Sequence, residues 1–142
     1  HISSEQDAWF EETRGKADRV LVDAPCTGIG TARRNPDLPW RISKTDLVKF
    51  TELQTKLLDQ AAPLVKPGGR IVYVTCSLLK DENTIPVEAF LAKHSGFRTV
   101  PVRPSWKQNT ISHPNWTSDF LMLTAARHST DGFFIAILKR QS

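Results

Sequence analysis

The sequence predicts an α/β protein, and three observations predict it. Residues 19–23, "RVLVD", form a continuous apolar run of the kind that a parallel strand buried on both faces shows. Leu47, Phe50, Leu53, Leu57, Ala61 and Leu64 then recur at three- and four-residue steps, which marks one face of an amphipathic helix. A second run, "RIVYVT" at residues 70–75, is β-branched and aromatic, as strands are. Strand, helix and strand in that order make a right-handed crossover, which sets the two strands side by side and parallel.

The remaining elements follow in order. Ser3 or Ser4 caps a short helix running towards Glu12, with Trp9 and Phe10 on its apolar side and Gly15 as its stop. The first strand ends in "DAPCTGIG", residues 23–30. "TARRNPDLPW", residues 31–40, holds two prolines and two adjacent arginines, and reads as an exposed basic loop without regular structure. Ser43 with Asp46 fits the capping signature of the long helix. Pro63 is expected to kink or tighten the last turn, and "KPGG" to stop the helix and turn the chain. After the second strand, a helix spans about 84–94, with Pro86 tolerated only in its first turn and Gly96 as its stop. "FRTVPV" is a third strand, residues 104–127 are turn-rich and yield no element, and "GFFIAILKR" is the closing strand.

The chain has 142 residues, the size of one domain covering 1–142, long enough to hold a core without disulfides or metal. No apolar stretch approaches the ~20 residues that span a bilayer, so a soluble, intracellular protein with no membrane partner is expected. Nineteen Lys and Arg against fifteen Asp and Glu give a charge of +4, which suits nucleic acid and equally suits an ordinary surface. Two cysteines make no disulfide framework and lack the spacing of a zinc knuckle, so no metal is expected. The opening residues carry no start signal, and a piece of a longer protein is the expectation.

In open α/β sheets ligands sit beyond the carboxyl ends of the strands, which is where Cys26 and Cys76 both lie. Their spacing of fifty positions is one strand–loop–helix–strand unit, so the two should emerge side by side at one sheet edge. Taken singly, each is either a small buried hydrophobe or a reactive thiol. Gly28-Ile29-Gly30 mimics a dinucleotide fingerprint, but its third glycine position is Arg33 and no acid follows at the expected distance. A thiol hydrolase needs a histidine near the sulfur; His94, His113 and His128 sit in no such signature, and His94 reads as a cap on helix carbonyls. Two thiols with a carboxylate suit thiolate addition to an electron-poor ring carbon. A cytosine attacked at C6 becomes an enamine whose C5 can take a methyl group. Asp23 could bond the exocyclic amine and N3 edge of that base. A second thiol could help remove the C5 proton or help the product leave. The residues alone do not rank the two thiols.

"DAPCTGIG", "RRNPD", "LQTKLLDQAAPLVKPGGRIVYVTCSL" and "TDGFF" together resemble the Sun-type (Nol/Nop/Sun) family of S-adenosylmethionine-dependent RNA cytosine-5 methyltransferases, over residues 18 to 134. The resemblance implies the carboxyl-terminal half of a Rossmann-like sheet, mostly parallel with an antiparallel last strand and helices on its faces. It implies that Cys76 is the nucleophile that bonds C6, and that Cys26 assists breakdown of the covalent adduct. Asp23 then contacts both cofactor and base, with Pro25 beside it at the cofactor. Arg33 and Arg34 fall on the family's basic loop, either on phosphate or solvated. The phenylalanines of "DGFF" are expected in the core. Thr27 stands where the family more often has serine, and keeps the hydroxyl. The family's glycine-rich cofactor turn, its ribose-binding acid and the first three strands have no counterpart in these residues. The 142 residues alone are therefore expected to be inactive and to bind S-adenosylmethionine weakly or not at all. The strand carrying Val20 to Val22 should have a free edge. The implied substrate is RNA with the target base swung out of its stack, small-subunit ribosomal RNA first and transfer RNA next, in the cytoplasm. The alternative is a noncatalytic RNA-binding module that kept the fold, which has no need of two thiols.

Overall fold

The computed structural model describes residues 4–103 and 119–142. In chain order it contains α1 (Ser4–Thr13), β1 (Ala17–Asp23), α2 (Leu38–Arg41), α3 (Lys44–Ala61), β2 (Val65–Thr75), α4 (Thr84–Lys93), β3 (Phe97–Val100), β4 (Leu121–Leu123), α5 (Ala125–His128) and β5 (Phe133–Arg140). The sheet order is β1-β2-β5-β3, and β4 also pairs with β5. β1 and β2 run parallel, as the crossover requires. β5 is antiparallel to β2, β3 and β4, so the other four strands share one direction and the last strand alone is reversed.

Local chemistry explains most boundaries. Ser43 caps α3 in a full capping box: its hydroxyl accepts from Asp46 N at 3.1 Å, and the Asp46 carboxylate accepts from Ser43 N at 3.1 Å. Pro63 lies in a 3₁₀ turn, Ala62–Leu64, the tightening its missing N–H demands. Pro86 sits in the first turn of α4.

Three expectations need correction. "KPGG" does not precede β2 but interrupts it, because Ala17 already pairs with Val65 before the chain bulges out and returns to pair Arg19 with Arg70. Gly68 takes φ +77° in that bulge, which a glycine adopts without penalty. The loop at residues 31–40 is not free of regular structure: it opens on a 3₁₀ turn, Ile29–Thr31, and ends in the single turn of α2. Thr31 and Asn35 side chains make the hydrogen bonds that shape it. The buried stripe of α3 is also rotated from the apolar one. Gln54, Leu58 and Ala61 lie deepest, while Leu53 is exposed.

The main core joins Leu58 and Ala61 of α3, Ile71 and Tyr73 of β2, Phe90 of α4 and Phe134, Ala136 and Leu138 of β5. Tyr73 and Phe134 meet edge to face, with centroids 6.3 Å apart. β1 closes the sheet at one end and hydrogen-bonds only to β2 among the described residues, so the expected free edge is present. Leu21 on it is 68% exposed. Trp9 and Phe10 flank a groove along that edge with Val20, Val22, Leu57 and Leu64. Among the described residues no helix is long and apolar enough to cross a membrane.

Candidate active site

The parallel register of β1 and β2 places Asp23 opposite Val74, and the ladder runs one step further through Ala24 N to Val74 O at 2.9 Å. The two chains therefore leave the sheet together. Cys26 Sγ and Cys76 Sγ meet at 3.3 Å, the juxtaposition that the topology predicts. Both thiols are partly exposed and neither is in a disulfide.

A third segment completes the floor. Gly30 N donates to Cys76 O at 2.9 Å, and Gly132 N donates to Gly30 O at 2.7 Å. A Cβ at Gly30 would lie 2.8 Å from Cys76 O and overlap Gly132 O, so only glycine admits this approach. Arg33 Nε bonds Asp131 Oδ1 at 2.9 Å, and Arg34 pairs with the other oxygen of the same carboxylate. The two guanidinium groups hold the Asp131 carboxyl below the usual carboxylate range, Arg34 most strongly. The arginines of the basic loop are thus neither simply solvated nor free: they fasten the loop to the segment before β5, with their outer faces half exposed.

Glu82 lies beneath the thiols, fully buried at the end of a 3₁₀ turn, and sequence reasoning missed it. Its Oε1 accepts from Thr27 N at 2.7 Å and from Gln54 Nε2 at 3.2 Å. Its Oε2 accepts from Thr27 Oγ1 and Ser77 Oγ, each at 2.5 Å. The signal that could have found it is the hydroxyl residue directly after each cysteine, since buried hydroxyls need acceptors and a nearby acid can serve both. Gln54 also donates to Pro25 O at 2.8 Å, which is why a glutamine occupies the core face of α3.

The two sulfurs titrate as a pair. Either sulfur can donate the hydrogen bond between them, and this bond, which steadies one thiolate beside one thiol, is the main cause that lowers the first ionisation of the pair, to about 7 when written on Cys76. Burial and the negative charges of Asp23 and Glu82 oppose that fall but do not cancel it. The same hydrogen bond, with burial, pushes the Cys26 thiol far above its ordinary range, because its proton would have to leave from beside a thiolate. The pair therefore gives up one proton readily and holds the second.

Asp23 ends β1 with an exposed carboxylate that has no hydrogen-bond or ion-pair partner among the described residues, and Pro25 is exposed beside it. The two described candidate histidines, His94 and His128, are occupied elsewhere. His94 does not cap carbonyls through its ring; Nε2 pairs with Asp59 Oδ1 at 2.8 Å and the ring stacks on Phe90. His128 Nδ1 accepts from Thr124 N at 3.0 Å, and His113 lies outside the described residues.

The chain matches the family model described as 16S rRNA methyltransferase RsmB/F over residues 3–139. It is 43% identical over 126 residues to the probable ribosomal RNA small subunit methyltransferase B of Synechocystis, covering 87% of this chain and 27% of that protein. It is 39% identical over 125 residues to ribosomal RNA small subunit methyltransferase B of Thermus thermophilus, covering 88% and 30%. The crystal structure of NSun6 from Pyrococcus horikoshii with SFG superposes with a TM-score of 0.71 at 28% identity, over 89% of this chain and 31% of that one. The chain spans less than a third of the length of these relatives. With the family model matched along nearly all of its length, the chain belongs to the 16S rRNA methyltransferase RsmB/F family.

Proposed function

We propose that the protein containing this chain methylates C5 of a cytidine in RNA, small-subunit ribosomal RNA by preference and transfer RNA next, in the cytoplasm. The observation that carries the reading is the 3.3 Å contact between the two sulfurs at the ends of β1 and β2. Such a pair supplies a nucleophile and an acid–base partner to a single small ring. The names of the curated relatives supply the preference for ribosomal RNA.

The Cys76 thiolate adds to C6 of the flipped-out cytosine, forming a carbon–sulfur bond and moving an electron pair towards C5 and N3. Asp23, at the mouth of the site, bonds the N3 and exocyclic amine edge and steadies the charge arriving there. S-adenosylmethionine, when bound, supplies the methyl group that C5 takes up. The residues here that would touch it are Asp23 and Pro25, and an unpartnered carboxylate suits a cationic donor. Once Cys76 is bonded to carbon, it no longer carries the negative charge that held the proton on Cys26. Cys26 then loses its proton to solvent, its thiolate takes the C5 proton, and the electron pair of that C–H bond forms the C5–C6 double bond and expels Cys76 as thiolate.

The test uses the intact protein and RNA carrying 5-fluorocytidine, whose C5 fluorine blocks the last step. A covalent protein–RNA adduct is expected, with none in Cys76→Ala. RNA binding without an adduct would sink the enzymatic reading and leave an RNA-binding module.

A further inference from the structure

We propose that Glu82 is the positioning residue of the thiol pair, holding the loops after β1 and β2 at the spacing that keeps the two sulfurs in contact. It rests on the reading that both thiols work on one pyrimidine. Glu82 sits at the far end of the loop after β2, in the turn just before α4, and its carboxylate reaches back to Ser77 beside Cys76 and across to Thr27 on the other loop. Thr27 and Ser77 each directly follow a cysteine, and each donates its hydroxyl to the same oxygen, Oε2, at 2.5 Å.

The site therefore has two tiers. In the upper one the sulfurs lie 3.3 Å apart, half-buried; in the lower one the hydroxyls lie 3.5 Å apart, fully enclosed. One carboxylate bridges the lower tier. Its frame is fixed in turn by Thr27 N and Gln54 Nε2 on Oε1, and by the Tyr73 hydroxyl, which donates to Glu82 O at 2.6 Å. Burying a carboxylate is costly unless every lone pair is used, and here four donors use them. Apolar side chains could fill this space, but they would not register one loop against the other to a fraction of an ångström.

The sign of one effect separates positioning from plain electrostatics. The Glu82 charge pushes the Cys76 pKa up, while contact with Cys26 pulls it down more strongly. Losing only the charge should lower the pKa of Cys76. Losing the frame should raise it, because the Cys26 hydrogen bond goes with it.

The experiment measures two properties of the intact protein without RNA. One is the pH profile of Cys76 alkylation by iodoacetamide, read by peptide mass. The other is the rate at which diamide, an azo oxidant that takes up two protons and two electrons, joins Cys26 and Cys76 in a disulfide. Glu82→Ala and Ser77→Ala should raise the apparent pKa by about one unit, leaving about tenfold less thiolate at pH 6. Both should also slow the cross-link. Glu82→Gln should keep the cross-link near the wild-type rate and leave the apparent pKa at or below the wild-type one, since its amide still spans both loops, the hydroxyls can rotate to meet it, and only the charge is lost. Thr27→Val, nearly isosteric, should act like Ser77→Ala and keeps the test open if Glu82→Ala does not fold. Wild-type profiles and cross-linking in folded Ser77→Ala and Thr27→Val would overturn the proposal. So would a lowered Cys76 pKa in Glu82→Ala. Neither measurement involves methyl transfer, so a failed fluorocytidine trap and a failed positioning role give distinguishable results.

Discussion

Cys26 and Cys76 share one hydrogen bond, so the pair gives up its first proton easily and its second with difficulty. The depressed pKa of Cys76 means that its thiolate is present above about pH 7 and is lost as the pH falls through that value. Its alkylation rate should rise with an apparent pKa near 7. In Cys26→Ala it should revert towards the ordinary ~8.5, several-fold slower at neutral pH. An unchanged profile in Cys26→Ala would remove the hydrogen bond as the cause. The meeting of the sulfurs was legible in the sequence because it depends only on topology, two equivalent strand ends one crossover apart. That the pair gives up its first proton readily was not, because that depends on the hydrogen bond between the sulfurs and on burial. Glu82 was illegible for a related reason: in "KDEN" it is one acid among charged neighbours, and only the tertiary fold turns it inward.

At the level of elements, α3 shows both what patterning reveals and where it stops. Its start was readable because a capping box is written in four consecutive residues. Ser43→Ala should cost about 1 kcal/mol, seen as a lower urea midpoint at constant slope. No loss would mean that the end of the helix is held by its packing alone. Its buried face was misread because hydrophobicity favoured Leu53, whereas Gln54 found polar partners below the site and took the inner position. β4 escaped for want of length: three residues, "LML", cannot display an alternation. The closing strand β5, eight residues long and mostly apolar, needed no such help. Its reversed direction came from family resemblance, since apolar residues do not record which way a strand runs.

Across the whole molecule, the exposed flank of β1 is the most consequential surface. An apolar strand edge with Leu21 68% exposed is a template for pairing with another chain. The 142 residues in isolation should self-associate, and Leu21→Lys should shift them towards monomer in sedimentation velocity. A wild-type chain that sediments as a sharp monomer would show that this edge is protected. Beyond the carboxyl ends of β1 and β2 the chain is tied differently, through backbone bonds from Gly132 to Gly30 and from Gly30 to Cys76. Arg33 and Asp131, which brace the same junction, are separated by 98 positions. At roughly 5–20 residues per second, a ribosome takes on the order of 5–20 s to make that interval. Once Cys76 has been added within that interval, a nascent chain holds both thiols but lacks the strap that seats them until Asp131 is made, so chemical competence arrives late in translation.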